Sequence, residues 1–205
     1  MTVKYLSLLL VLAVVVSLAP AYGETNLVEN PGFENGTTGW AGRTCKIEAV
    51  TTPVHDGAGA AKAFGRIESW QGIKQSMLNK MASGSTYKIS GWVRLENSDT
   101  DTVTLSVEQT DENGTKYINV ESGSASNTEW LELSGEFMLD AGGTLKVLDI
   151  YFEGPEGNIN FFVDDVSVEV VVPASAPVDP NAPKADPNAP KEEPKTGACE
   201  TKNQN

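Results

Sequence analysis

Three stretches of the sequence place sugar-compatible chemistry on alternate residues. In Leu145 to Glu153 the apolar set Leu148, Ile150 and Phe152 takes one face of a strand, which turns Asp149, Tyr151 and Glu153 onto the other. In Lys116 to Glu121 the core set Ile118 and Val120 leaves Tyr117, Asn119 and Glu121 opposite, and Val103, Leu105 and Val107 likewise leave Thr102, Thr104, Ser106 and Glu108. One sheet is therefore predicted to show a face of tyrosines, carboxylates and hydroxyls. Flat aromatic rings cover the C–H faces of sugars, while carboxylates and amides bond the hydroxyl edges. Parity alone leaves a plain solvated face open as well, because antiparallel sheets often carry Tyr, Thr and Glu outward. Paired carboxylates are also the tools of glycoside hydrolysis, which needs two of them roughly 5 to 9.5 Å apart, one with a raised pKa. Glu153 with Glu108 or Glu121 is the pair that such chemistry would use. His55, the one histidine, reads as part of a turn and not as a base or ligand.

Strands must position these groups. Between Asn26 and Val172 there is no long 3.6-residue periodicity; period-two alternation recurs, punctuated by Gly, Asn, Asp and Pro turns. The predicted strands are Cys45 to Val50, Ala61 to Phe64, Gly72 to Ser76, Thr86 to Glu96, Thr102 to Gln109, Lys116 to Val120, Glu129 to Leu139, Leu145 to Glu153 and Asn160 to Val172. Such a set predicts an all-β, two-sheet antiparallel sandwich of jelly-roll type, with a closed barrel as the alternative.

The two ends read differently. Leu6 to Leu18 is an apolar run too short to span a bilayer comfortably, and small residues up to Gly23 offer cleavage positions, so residues 1–23 are predicted to be a signal peptide and the protein to be secreted. Residues 24–172 suffice for one good core. From Pro173 onward the composition turns to Pro, Ala, Asp, Asn and Lys, with a near-repeat beginning at Asp179 and again at Asp186, so 173–205 is expected to be a disordered linker or tail. The net charge of −13 argues against nucleic-acid and anionic-membrane partners, which are recognised through clustered Lys and Arg. Cys45 and Cys199 are too few for a disulfide framework but can pair with each other after export. Asn35-Gly36-Thr37 and Asn113-Gly114-Thr115 are glycosylation sequons, and both Asn-Gly pairs are also turn signals, the reading preferred here.

Read in order, the motifs carry a resemblance. They are Asn30-Pro-Gly-Phe-Glu34, Gly39-Trp40-Ala-Gly-Arg43, His55-Asp-Gly57, Gly65-Arg66-Ile-Glu-Ser-Trp70-Gln-Gly72, Gly84-Ser-Thr-Tyr87 to Gly91-Trp92-Val93, Trp130 to Phe137, Tyr151-Phe-Glu153-Gly and Val163-Asp-Asp165-Val. Together they resemble the xylan-binding family 22 carbohydrate-binding modules and the related family 4 and 9 modules found beside xylanases and cellulases. The resemblance covers nearly the whole of residues 24–172 and implies a galactose-binding-domain-like jelly roll with a cleft across one sheet. It assigns Arg43, Trp70, Tyr117, Tyr151 and Glu153 to carbohydrate binding. Trp70 would stack on a pyranose ring, Tyr117 and Tyr151 would serve neighbouring subsites, and Arg43 and Glu153 would fix hydroxyls. Asp149 stands where related modules often carry an aromatic, a departure that bears on affinity and preferred sugar. Trp40 and Trp130 read as packing residues, and Trp92 shares its parity with Lys88, Ser90 and Arg94.

The same resemblance implies a structural calcium where the first and last strands meet. Gly32 through its carbonyl, Glu34 and Asp165 match the ligand positions, and hard oxygen donors are what calcium takes. On a regular strand Asp164 and Asp165 would point to opposite faces, so one of them is expected to reach the ion. The implied function is non-catalytic binding of xylan or a related β-glucan chain by a monomer, targeting or tethering a glycoside hydrolase or the protein itself. A small hydrolase on the same scaffold and an adhesive surface protein are the alternatives.

Overall fold

Period-two alternation marks most of the regular elements. The computed structural model describes residues 25–174, so the leader, the Pro-rich tail and Cys199 lie outside the described residues. Ten strands run β1 (Ala41–Arg43), β2 (Lys46–Val50), β3 (Ala60–Phe64), β4 (Gly72–Ser76), β5 (Thr86–Leu95), β6 (Thr100–Asp111), β7 (Gly114–Ser126), β8 (Leu131–Met138), β9 (Val147–Glu153) and β10 (Phe161–Val172). They form two five-stranded antiparallel sheets, in the orders β1-β4-β9-β6-β7 and β2-β3-β10-β5-β8.

The core lies between the sheets. Ile73, Val103, Leu105, Val107, Leu148, Ile150 and Phe152 come from the first sheet, and Ile89, Val93, Leu133, Val163, Val166 and Val168 from the second, all buried. The inward parity read from β6 and β9 is thus the packed one, and Ile118 and Val120 pack partly against it. Gly91 of β5 shows how closely the sheets approach: a Cβ there would come within 2.5 Å of the Phe152 ring. Small residues in one sheet accommodate rings from the other.

The first sheet turns three ladders of side chains outward. Across it run Arg43, Gly72, Glu153, Thr104 and Ser122, then Ala41, Lys74, Tyr151, Ser106 and Asn119, then Ser76, Asp149, Glu108 and Tyr117. Strand β1, which places Arg43 at one edge, is absent from the sequence-based set, because three residues around Gly42 carry no alternation. Strand β7 is longer than expected and holds a bulge at Val120. The extra residue reverses parity, so Ser122, not Glu121, joins the face, with its Oγ 3.0 Å from Thr104 Oγ1, while Glu121 sits opposite core-facing Leu105. That corrects the expected Tyr117, Asn119 and Glu121 set and removes Glu121 as a partner carboxylate for Glu153. The Asn113-Gly114 pair sits at the tight β6–β7 hairpin, where Gly114 takes φ 110°, so the turn reading fits.

The loop between β3 and β4 carries Trp70, and two buried polar side chains hold it. Arg66 is 1% exposed; Nε donates to Gln71 O at 2.8 Å and Nη1 to Glu156 O and Ile159 O at 3.2 and 2.5 Å. Its Nη2 lies within hydrogen-bond distance of the Glu68, Ser69, Gly154 and Pro155 carbonyls. The guanidinium also rests over the Phe161 ring, 5.1 Å from its centroid. Gln71 Oε1 accepts from Ile67 N and Glu68 N, and its Nε2 donates to Thr44 O. One buried cation therefore satisfies carbonyls that a loop without regular structure would otherwise leave without donors. Replacing it with an apolar residue of similar length, Arg66→Met, leaves those carbonyls unpaired, and urea unfolding is expected to show a loss of about 3 kcal/mol or more. Parent-like stability would show that the loop closes without the clasp.

Candidate functional site

The five residues assigned to carbohydrate binding come together. Arg43, Trp70, Tyr117, Tyr151 and Glu153 line one groove of ≈ 420 Å³ on the outer face of the first sheet. Arg43 reaches it from β1, Tyr117 from β7, Tyr151 and Glu153 from β9, and Trp70 from the loop clasped by Arg66. Their convergence follows from the antiparallel register, which sets Arg43 and Glu153 in one cross-sheet row on either side of Gly72. Gly72 is required there, since a Cβ would sit 1.8 Å from the Phe152 carbonyl oxygen.

Arg43 is the hub. Its guanidinium carbon lies 4.3 Å from the Tyr151 ring centroid, 5.4 Å from Tyr117 and 5.5 Å from Trp70. Nη1 donates to Trp70 O at 2.5 Å and stands 3.5 Å from Glu153 Oε2, and Nη2 stands 3.5 Å from Glu108 Oε2. Both carboxylate contacts are long; charge-assisted N–H···O bonds usually close to about 2.8 Å. The structural pairs Lys62–Glu96 and Lys74–Asp149 close to 2.6 and 2.7 Å. Arg43 is thus held in place by long ion pairs that do not saturate it, and it lines the groove.

The rings divide into two kinds. Trp70 is 45% exposed and Tyr117 63% exposed, so each offers an open face. Tyr151 is 1% exposed beneath Arg43, and burial, reinforced by the nearby Glu153 charge, pushes its phenol up to about 12. Outward parity put Tyr151 on the correct face, but Arg43 covers it, so its ring supports the guanidinium. Asp149 is buried for a similar reason: Lys74 from β4 caps it. Burial also raises the Glu153 carboxyl, opposed by the Ser106 hydroxyl, which donates to Oε1 at 3.0 Å, and by Arg43. Glu108 and Glu153, the remaining candidates for a hydrolytic pair, converge on one guanidinium.

A second hollow of ≈ 340 Å³ continues the groove past Trp70 and Glu153. Asp101, Thr102, Thr104, Pro155 and Glu156 line its far side; Thr102 and Thr104 belong to the outward face read from the sequence, whereas Asp101, Pro155 and Glu156 were not singled out. Pro155 and Glu156 lie in a loop, which carries no parity signal, and Asp101 shares the inward parity of Val103 in β6.

Where the first and last segments meet, Gly32, Glu34, Asp164 and Asp165 gather. Val166 N donates to Pro31 O at 3.1 Å, and a Cβ on Gly32 would lie 3.4 Å from Asp165 Oδ1 and 3.9 Å from Asp164 Oδ1. Both aspartates reach this point because β10 is irregular between Asp164 and Ser167 and Asp165 takes φ 45°, which corrects the expectation that they point apart. Asp164 is fully buried, no basic side chain pairs with it among the described residues, and its carboxyl is raised to about 6, chiefly by burial. Its oxygens accept from His55 N and Asp165 N, each at 2.8 Å. Glu34 Oε1 accepts from Ala58 N and Gly59 N. Among the described residues no three His, Cys, Asp or Glu side chains converge as a metal-holding group, so a cation here would need backbone oxygens too. The donor set is all hard oxygen around a buried carboxyl without a counter-charge, which fits calcium.

The other aromatics serve packing. Trp40 is buried against Phe33, and its Nε1 donates to Asn30 O. His55 stacks on Trp92 at 3.9 Å, meets Trp130 edge-on at 5.9 Å, and places Nδ1 2.6 Å from Asp165 Oδ2. Trp92 therefore belongs to the outer face of the second sheet, away from the groove. Cys45 is free among the described residues and donates through Sγ to Gly72 O at 3.0 Å.

Comparison with known proteins agrees with this architecture. The sequence profile of the family CBM_4_9, described as a carbohydrate binding domain, matches residues 25–158. Endo-1,4-beta-xylanase A of Thermoanaerobacterium saccharolyticum is 36% identical over 148 residues, which are 70% of this chain and 13% of that enzyme. Exoglucanase XynX of Acetivibrio thermocellus is 35% identical over 148 residues, again 70% of this chain and 14% of the enzyme. The chain thus spans a small fraction of the length of these enzymes. The CBM22-1 xylan-binding domain from Paenibacillus barcinonensis Xyn10C superposes with a TM-score of 0.68 at 26% identity, covering 74% of this chain and 97% of that domain. With the profile matched over most of its length, the chain belongs to the carbohydrate binding domain family CBM_4_9.

Proposed function

We propose that the groove binds xylan without cutting it, and that the chain thereby brings itself or an associated glycoside hydrolase to plant cell-wall polysaccharide. The observation that carries this reading is the pairing of two exposed rings, Trp70 and Tyr117, with an unsaturated guanidinium between them. The rings take the C–H faces of successive pyranoses, and Arg43 donates to their hydroxyls while Glu153 and Glu108 accept from them. A groove open to solvent admits a polymer that extends beyond it in both directions. The similarity to xylanase segments and to a xylan-binding domain supports xylan as the chain bound. The predicted leader supports secretion.

Trp70→Ala is expected to weaken binding of soluble xylan well over tenfold in affinity electrophoresis, because truncating a central aromatic anchor costs roughly 2 kcal/mol or more. Full retention of binding by that variant would remove the groove as the site.

We also propose that calcium is held by the Gly32 carbonyl, Glu34 and Asp165, with Asp164 as a further oxygen donor. The ion would supply the positive charge that buried Asp164 lacks and tie the first and last segments together. The pH dependence then has a defined sign. In metal-free protein the native Asp164 carboxyl, at about 6 against an ordinary 3.8, holds its proton more tightly than the unfolded chain does. Stability should therefore fall as pH rises from about 4 to about 6, by at most about 3 kcal/mol. Calcium binds the ionised form and should cancel that loss, raising the melting temperature above pH 6; Asp164→Asn should flatten the metal-free profile. Melting curves that do not respond to calcium or chelator at any pH would count against the ion.

A further inference from the structure

The hollow beyond Trp70 has a chemistry that the main groove lacks. It shares Trp70 and Glu153 with the groove, so a chain stacked on Trp70 passes directly into it. Its lining is acceptor-rich: Asp101, Glu153 and Glu156 contribute carboxylates, and Thr102 and Thr104 contribute hydroxyls. Asp101 is fixed, since Oδ1 accepts from Thr102 N at 2.7 Å and Oδ2 from Glu156 N at 3.0 Å. Those bonds hold its charge at the seam between the start of β6 and the loop after β9.

Nearby positive charge is outnumbered or enclosed. Arg43 stands between Glu108 and Glu153. Arg66 lies beneath the hollow, buried, with its N–H groups spent on backbone carbonyls that include those of Ser69, Gly154 and Pro155. Lys74 is paired with Asp149. Counting Glu108, Glu153, Asp101 and Glu156 against Arg43 and Arg66, the groove and its extension carry an excess of two negative charges, on a protein of net charge −13.

Xylans differ in their side groups: some branches are neutral pentoses, others are uronic acids that are anionic at neutral pH. We infer that this groove selects by charge among them, accepting bare or neutrally branched stretches and turning away stretches bearing uronic acid, with Asp101 and Glu156 as the residues that set the preference. The inference rests on the xylan-binding reading above. Neutral sugars bring hydroxyl donors that an acceptor-rich wall can use, whereas a uronate brings a fixed negative charge and no donor on its carboxylate. Because the hollow is open to water, the repulsion is moderate and screened by salt.

Calorimetric titration of the full chain with two xylo-oligosaccharides of equal backbone length, one with a neutral arabinosyl branch and one with a glucuronosyl branch, tests it. At low salt the acidic ligand is expected to bind about fivefold or more weakly, and at about 0.5 M NaCl, where the Debye length falls to roughly 4 Å, the ratio should shrink to within about twofold. Glu156→Gln and Asp101→Asn, each checked by its melting curve, should each reduce the low-salt ratio. Equal affinities, a preference for the acidic ligand, or a ratio that ignores both salt and substitutions would overturn charge selection. Failure of the unaltered protein to bind either oligosaccharide would instead overturn the xylan reading on which it stands.

Discussion

A single guanidinium organises the outer face of the first sheet, where binding is proposed. Arg43 touches three rings and two carboxylates, and each contact needs the others. Without Arg43, Glu108 and Glu153 would face each other across β9 and β6 with no countercharge, and the Tyr151 ring would be open to solvent. Without those partners, a long flexible side chain on a three-residue edge strand would sample many rotamers and offer a sugar no fixed donor. The arrangement uses the planarity of arginine: the plane stacks on Tyr151 while its edges address carboxylates on either side.

The rest of the first sheet can be read as support for that group. Gly72 lets β4 lie close enough to β9 for Arg43 and Glu153 to meet, and Arg66 ties down the loop that brings the Trp70 carbonyl and ring to the guanidinium. Two arginines thus divide the labour. Arg66 is wholly enclosed and spends its donors on backbone carbonyls, which fixes a loop; Arg43 sits at the surface with long ion pairs, which leaves donors for a ligand. The contrast between saturated and unsaturated guanidinium separates the structural role of Arg66 from the binding role proposed for Arg43.

Much of this was legible in the sequence, for reasons particular residues make plain. Leu148, Ile150 and Phe152 announced their strand by period two, and the same rule put Asp149, Tyr151 and Glu153 on the outer face. Parity states direction but not cover, so it could not foresee that Arg43 and Lys74, from strands distant in sequence, would bury Tyr151 and Asp149. Strand β1 escaped because three residues around a glycine carry no period. The bulge at Val120 and the irregular backbone at Asp165 break the alternation on which the reading relied, moving Glu121 off the face and bringing Asp164 beside Asp165. Arg66 stood in a quoted motif, but its burial depends on carbonyls from the loop after β9, which no local pattern encodes. The acidic hollow likewise joins the start of β6 and the end of β9 to two loops, a juxtaposition that no local pattern encodes.

The proposed binding depends on the geometry of Arg43, as distinct from its charge. Arg43→Lys keeps a cation between Glu108 and Glu153 but removes the planar fork and the platform over Tyr151. Calorimetric titration of this variant with a neutral xylo-oligosaccharide, alongside its thermal unfolding curve, measures the difference directly. The expected result is a melting temperature within a few degrees of the parent and an affinity reduced at least tenfold. Parent-like affinity in the lysine variant would contradict the account, leaving the open rings of Trp70 and Tyr117 to hold the sugar without the guanidinium.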